Sequence, residues 1–363
     1  MSSSRTFAEY SEFSSVSPES HRTCCPDCRD VVTVDGETPI EESSRDRCKL
    51  VSAAKGLNTR LKKMWRKREL PDPNHLSSYE KFAIETIRNW EATKGKRALL
   101  CGVTYNKQKY RLKGTDYDVS SMRELLMSRF RFPSSSIRIL SEMDQHLRPT
   151  KRNIQEALRW LVKDNQHGDS LVFYFSGHGL RQPDFFDDEL DGFDETICPV
   201  DFRTAGMIID NEINETIVRP LVEGVKLHAI IDACHSGTIL DLQHVYNTKT
   251  KKWLDNSPPS GVYKGTKGGH AISISACEDH QLAADTSAFS GKQMEGAMTY
   301  TFRKAIEDNR RVTYGGLLAS MHKDILEAKA KCFSLRGLFH RERLQEPLLS
   351  SSKVFDLNDT FVL

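Results

Sequence analysis

No apolar stretch in this chain approaches the roughly 18 residues that a membrane-spanning helix needs, so no membrane span is expected. An excess of charge of one sign is also missing. Lys and Arg number 52 and Asp and Glu 50, and a formal net charge of +2 argues neither way about nucleic acid; none is expected as a partner. The opening residues, MSSSRTFAEYSEF, lack the apolar core of a secretory signal. The nine cysteines, an odd number, are therefore expected as reduced thiols in a cytoplasmic chain, or in one shared between cytoplasm and nucleus. Hydrophobic residues make up only 38%, low for a chain packed throughout, so part of it is expected to be disordered. The 363 residues suffice for one sizeable domain with an arm, or for two small domains.

The polar part lies at the front. Residues 1–50 are rich in Ser, Thr, Glu and Asp without sustained apolar periodicity, and read as a disordered arm. Within it, HRTCCPDC carries Cys25 and Cys28 at the spacing of a zinc knuckle, with Cys24 beside them and Cys48 further on. A second such pair is absent. Either an irregular zinc site of Cys25, Cys28, Cys48 and His21, or a degenerate remnant, fits this segment. Residues 55–68, KGLNTRLKKMWRKR, place Leu57, Leu61, Met64 and Trp65 on one helical face among seven basic residues. They read as a solvated basic linker, with an anionic-surface anchor or a cleavable propeptide as sharper alternatives.

From Arg97 onward the pattern becomes α/β. Strands are expected at 97–105, 136–142, 171–177, 226–233, 270–276 and 352–358. Helices are expected at 118–130, after Thr150 with Gln155 near its capping box, at 211–222, briefly after Ser236, at 296–309 and at 314–331. Such alternation predicts a mostly parallel sheet covered on both faces.

Two of these strands end in chemistry. LVFYFSGHG delivers Ser176 and His178, and LHAIIDACHSG delivers Asp232 and Cys234. Ligands of open α/β sheets bind at the carboxyl ends of strands. A His and a Cys at two such ends have the placement of a nucleophile and its base, since sulfur attacks as thiolate and an imidazole can take its proton. A buried Cys ending a strand is usually a small hydrophobe. DACHSG is polar on both sides and ends in Gly, so it reads as a loop mouth instead. His235 is the rival base; a continuing strand would turn it to the opposite face, which favours His178. Asp118, after the first strand, is expected at the same edge as Asp232. Two carboxylates there suit a guanidinium or ammonium, although an Asp at that position also suits a helix N-cap. The backbone N–H groups of Gly179 and Cys234 are the candidate oxyanion donors.

From about Lys96 to Leu363 the chain resembles a type I metacaspase, on YFSGHG (174–179), DACHSG (232–237), ISISACEDHQLAADT (272–286), GAMTYTF (296–302) and a short loop between Asp241 and His270. The resemblance implies a caspase-like α/β sandwich of plant type. It implies a His178–Cys234 dyad and an oxyanion hole of Gly179 and Cys234. Cleavage would follow Arg or Lys, with Asp118, Ser176 and Asp232 lining the pocket and Thr115 standing where the family usually has Cys. Calcium would stimulate the enzyme through Asp194, Asp210, Asn211 and Asp241, with Asn211 in place of a typical Asp and so with weaker affinity. It further implies a monomeric, self-processing zymogen acting on polypeptides in regulated cell death or stress responses.

The expected organisation is an arm with the Cys cluster and basic segment (1–90), a large catalytic part (96–246), a linker (247–269) and a small part (270–363). Self-cleavage is expected in the Lys-rich linker, first at Lys251 and Lys252. The alternative is a catalytically weak scaffold acting through the Cys-containing arm.

Overall fold

Unbroken runs of six buried residues, rich in Val, Ile, Leu and Phe, can be satisfied only by strands covered on both faces, and three such runs form the centre of this molecule. The computed structural model describes residues 76–184, 189, 192–258, 260–275, 285–286, 295–309, 311–335 and 346–363. The zinc candidates His21, Cys25, Cys28 and Cys48 and the basic segment 55–68 lie outside these residues.

In chain order the elements begin with helix α1 (Ser78–Arg88), strand β1 (Lys96–Gly102), helix α2 (Thr115–Ser128), β2 (Ile137–Ser141), helix α3 (Lys151–Val162) and β3 (Ser170–Ser176). A small antiparallel sheet follows, of β4 (Gly179–Pro183), β5 (Phe193–Ile197) and β6 (Ile208–Ile209). Next come β7 (Lys226–Asp232), β8 (His244–Asn247), β9 (Lys252–Asp255) and β10 (His270–Ser275). The described elements close with β11 (Asp285–Thr286), β12 (Glu295–Gly296), helix α4 (Ala297–Asp308), helix α5 (Tyr314–Leu335) and β13 (Leu348–Ser351).

The main sheet has eight strands in the order β2-β1-β3-β7-β10-β13-β8-β9. The first five run parallel, and β13, β8 and β9 are antiparallel additions. This is the mostly parallel, helix-flanked sheet that the sequence implied. Period-2 alternation divides the strand residues between two cores. Leu99, Cys101, Leu171, Phe173, Phe175, Leu227 and Ile231 face Ile154, Leu158 and Leu161 of α3. Ala98, Leu100, Val172, Tyr174 and Ile230 face Met122 and Leu126 of α2, Met298 and Phe302 of α4, and Leu317 and Met321 of α5. Each fully buried large side chain contributes about 1.5–3 kcal/mol.

Several expected elements are displaced. Helix α1 lies within the stretch expected as arm. A capping box between Ser77 and Glu80 starts it, and the chain after it docks Trp90 edge-on against Trp160 at 5.3 Å. Thr150 caps α3 through the N–H of Asn153, at 3.3 Å, while Gln155 lies beyond the capping-box position and bonds Glu212. The helix expected at 211–222 is one α-turn (Asp210–Ile213) and a π-turn (Asn214–Val218). The residues after Ser236 form turns, and β13 precedes the expected 352–358, where Asp356 instead builds a turn by accepting the N–H of Asn358 at 2.9 Å. The expected linker begins inside a hairpin, at the last residue of β8, and supplies its turn and β9. Asn247 accepts the N–H groups of Lys249 and Thr250 at 3.0 and 2.9 Å, and Tyr246 packs edge-on against Trp253 at 5.4 Å across the strands. Among the described residues, no helix is long and apolar enough to cross a membrane.

Candidate active site

Parallel register brings the two polar strand ends together. Ser176 of β3 is the direct partner of Asp232 of β7, and the ladder continues as Gly177 donates its N–H to the Asp232 carbonyl at 3.2 Å. His178 and Cys234 follow this pair at the same offset. Both lie beyond the strands, so the face alternation used to compare His178 with His235 does not extend to them. His235 instead has a φ of +48°, and the chain turns there. The backbone at Gly179 presses so closely on Cys234 that a Cβ on residue 179 would overlap the Cys234 carbonyl oxygen. Glycine at 179 is therefore a packing requirement.

The ring of His178 is held from two sides. Its Nε2 lies 2.7 Å from the carbonyl oxygen of Tyr110. A carbonyl only accepts, so Nε2 carries the hydrogen in this contact and the basic lone pair falls on Nδ1. The Tyr105 ring lies against the imidazole at a tilt of 33°, with centroids 4.7 Å apart. Its hydroxyl accepts the backbone N–H of His178 at 2.9 Å and donates to the Cys198 carbonyl at 2.6 Å. Tyr105 has a φ of +54°, a conformation costly for a non-glycine residue. The Glu142 carboxylate stabilises it by accepting the N–H groups of Tyr105 and Asn106 at 2.5 and 3.0 Å.

Cys101 and Cys198 are buried, whereas Cys234 is half-buried. Burial pushes the Cys101 thiol far up, so it is inert as a nucleophile.

Asp118, Ser176 and Asp232 converge in one buried hollow. Asp118 is one turn inside α2, whose N-cap is Gly114. Its carboxylate accepts instead from Ser176 Oγ and from the Gly296 N–H, both at 3.0 Å, so it is not the helix cap. Asp232 accepts from the N–H of Thr299, at 2.9 Å, and from its hydroxyl, at 2.6 Å, in the first turn of α4. Burial, and then the neighbouring Asp232, push Asp118 up to about 8. Thr115 lies one turn before Asp118 with its hydroxyl on Thr104 at 2.9 Å. A Cβ at Gly296 would run into the Asp232 carboxylate and stand 3.0 Å from Asp118 Oδ2.

A second acidic group flanks the site. Glu189, Asp194 and Asp210 bring carboxylate oxygens within 4.8 Å of one another. Asp241 joins them through Lys264, whose ammonium pairs with Asp241 and, at 2.8 Å, with Glu189. Asn211 contributes its N–H to Asp210 Oδ1 at 2.7 Å. Glu195 is balanced by Arg181 at 2.9 Å. Burial, then the charges of Asp241, Glu195, Glu189 and Asp194, hold Asp210 well above the usual carboxylate range. Burial and Asp241 push Glu189 up to about 9. Among the described residues, four carboxylates with little solvent around them thus gather about the Lys264 ammonium. That oxygen-rich, over-negative set fits a hard divalent cation. The cluster adjoins both strand ends. Asp194 lies on β5, paired to the β4 strand that begins at Gly179, and Thr238 in the turn after Cys234 donates to Glu195 at 2.6 Å.

The residues that sequence reasoning missed are Tyr105, Tyr110, Glu142, Glu189, Gly296 and Thr299. For Gly296 and Thr299 the signal was in hand, since both belong to the GAMTYTF motif. Tyr105 closes the first expected strand, at the same sheet edge as His178.

Residues 96–243 match the family model described as metacaspase, peptidase C14 domain. Three proteins of Arabidopsis thaliana are similar. Metacaspase-1 is 52% identical over 236 residues, covering 63% of this chain and 64% of that protein. Metacaspase-2 is 51% identical, covering 64% and 57%, and Metacaspase-3 is 48% identical over 275 residues, covering 74% and 75%. The chain thus spans less than two thirds of the length of the first two.

Proposed function

The chain belongs to the metacaspase family, and from that premise we propose that it is a cysteine endopeptidase that cleaves polypeptides after Arg or Lys. One observation carries the reading: a buried two-carboxylate hollow, Asp118 with Asp232, lies directly beneath the strand ends that present His178 and Cys234. An aspartate side chain would be repelled there. A guanidinium would discharge the mutual repulsion of the pair and match it with two-pronged hydrogen bonds.

In this reading the Cys234 thiol gives its proton to His178 Nδ1, and the thiolate attacks the carbonyl carbon after the basic residue. The N–H groups of Gly179 and Cys234 receive the oxyanion. The tetrahedral adduct collapses as the C–N bond breaks, and His178 returns the proton to the leaving amine. Water, deprotonated by His178, then cleaves the thioester, releasing the carboxylate product and restoring the thiol. The Tyr110 carbonyl holds the ring in the required tautomer throughout.

Glu189, Asp194, Asp210 and Asp241 would hold calcium, which supplies charge neutralisation between the β4–β5 hairpin and the turn after Cys234. Those two segments flank the dyad, so their order sets the spacing of base and nucleophile. Glu189 adds a carboxylate that the sequence reading had not assigned, and Asn211 would offer its buried side-chain oxygen while its N–H holds Asp210.

The test is a library of peptides varied at the residue before the scissile bond, with calcium or with chelator. Cleavage after Arg and Lys, lost in Cys234→Ala, supports the proposal. Preference for acidic residues, or activity surviving that substitution, refutes it.

A further inference from the structure

Lys264 is 5% exposed, and its ammonium lies among the carboxylates that the preceding section assigns to calcium. A buried ammonium is expensive unless paired, and among the described residues it pairs with Asp241 and Glu189. Its backbone is anchored separately. The Asn214 side-chain amide donates to the carbonyls of Leu240, Asp241 and Lys264, at 2.9, 3.1 and 3.1 Å, clamping the chain around 264 to the turn that carries Asp241. The four-carbon side chain can therefore leave while its Cα stays. Lys264 also belongs to the segment joining the catalytic strand β7 to β10, so it links the cluster to the connection between the two halves of the sheet.

We propose that Lys264 is a built-in cation that occupies the acidic cluster and must be displaced when a divalent ion enters. The two cannot share Asp241 and Glu189, because an ammonium there would stand against a divalent charge in a site with little water. Ion binding is thus opposed by the loss of the buried ion pairs with Asp241 and Glu189, and the affinity of the cluster is set by this competition as well as by its ligands. This inference rests on the calcium reading above.

Two measurements on the full chain in the Cys234→Ala background, where self-cleavage cannot interfere, test it. The first is calcium titration by calorimetry, with Lys264→Gln compared to Lys264 intact. Couplings of this kind are worth about 5- to 150-fold, and the variant is expected to bind calcium roughly tenfold tighter. The second needs no substitution in the cluster. Amine acylation read by mass spectrometry should find Lys264 protected in chelator and reactive in calcium, with exposed Lys251 reactive in both. Calcium binding with unchanged or weaker affinity in Lys264→Gln, or Lys264 protected in both conditions, overturns the proposal and leaves the calcium reading intact. Absence of calcium binding in both chains overturns the two together.

Discussion

The Tyr105 hydroxyl accepts the backbone N–H of His178 at 2.9 Å while its ring lies on the imidazole at 4.7 Å. One side chain thus fixes both the position of the proposed base and the tilt of its ring. Tyr105 does not meet the reacting atoms; it positions the residue that does. Tyr105→Phe keeps the ring contact and leaves the His178 N–H and the Cys198 carbonyl without this partner. A buried polar group so orphaned costs about 1–3 kcal/mol. The expected result is a kcat lowered about tenfold, with KM nearly unchanged, and a lower Tm. A raised KM with unchanged kcat would show that Tyr105 serves substrate binding instead.

Asp118 makes the enzyme's pH dependence legible. Its carboxyl is pushed up to about 8, by burial first and then by Asp232, with Glu295 adding to the repulsion. Buried Tyr174, its other ionisable neighbour, is held far above its usual value by burial and by these same acids. The folded state therefore holds a proton that the unfolded chain releases near pH 4. Stability from this group is full below that value and declines as pH rises toward 8. Asp118→Asn should raise Tm at pH 8 and leave it unchanged near pH 4. It should also lower kcat/KM for Arg substrates by at least about 30-fold, as expected for a buried charge left without its partner. For the unsubstituted chain, kcat/KM should rise as pH passes through about 8, where Asp118 gives up its proton. A flat profile together with an unchanged Tm in the variant would refute the shared-proton hollow.

Gly296 is the point where the C-terminal part of the chain closes the hollow. A methyl group there meets the Asp232 carboxylate, which Thr299 holds in place. Gly296→Ala is expected to cost about 1–3 kcal/mol of stability through overpacking. The loss of kcat/KM for Arg and Lys substrates should exceed ten-fold, roughly, if the carboxylate swings aside. Circular dichroism melts paired with peptide kinetics measure both; an activity equal to that of the parent chain would place the specificity hollow elsewhere.

Self-processing is expected at the β8–β9 tip. Lys249, Thr250, Lys251 and Lys252 are exposed, and Lys251 takes a φ of +54°. Exposed tips are where nicking concentrates, whereas the backbone at Lys264 is clamped by the Asn214 amide. N-terminal sequencing after calcium addition should find new ends after Lys251 or Lys252. The same fragments from Cys234→Ala chain alone would identify a contaminating protease.

How much of this could be read beforehand varied with the physics. LVFYFSGHG and LHAIIDACHSG were legible because a doubly covered strand must be apolar without interruption, and the polarity that breaks it marks the sheet edge. Asp118 was legible as a residue but ambiguous in role; only the position of Gly114 at the N-cap separates pocket from cap. Tyr105 was visible only as the end of an expected strand, and Glu142 gave no signal, since their contact joins two segments distant in sequence. Glu189 stood among several acids of one sequence stretch with equal claims, and only its closeness to Asp194 and Asp210 selects it. The β8–β9 hairpin was hidden in a Lys-, Pro- and Gly-rich stretch, its stability coming from Tyr246, Trp253 and the Asn247 turn.

The strand order carries a consequence for the cut molecule. Severing the chain between β8 and β9 leaves β8 on the first piece, held between β13 and β9 of the second, while β10 of the second stays zipped to β7 of the first. The hollow would likewise be shared, with Asp118 and Asp232 on one piece and Gly296 and Thr299 on the other. Proteolysis there does not part the fragments. Such a cut would convert a single polypeptide into two interlocked, non-covalently joined pieces, with the hollow divided between them.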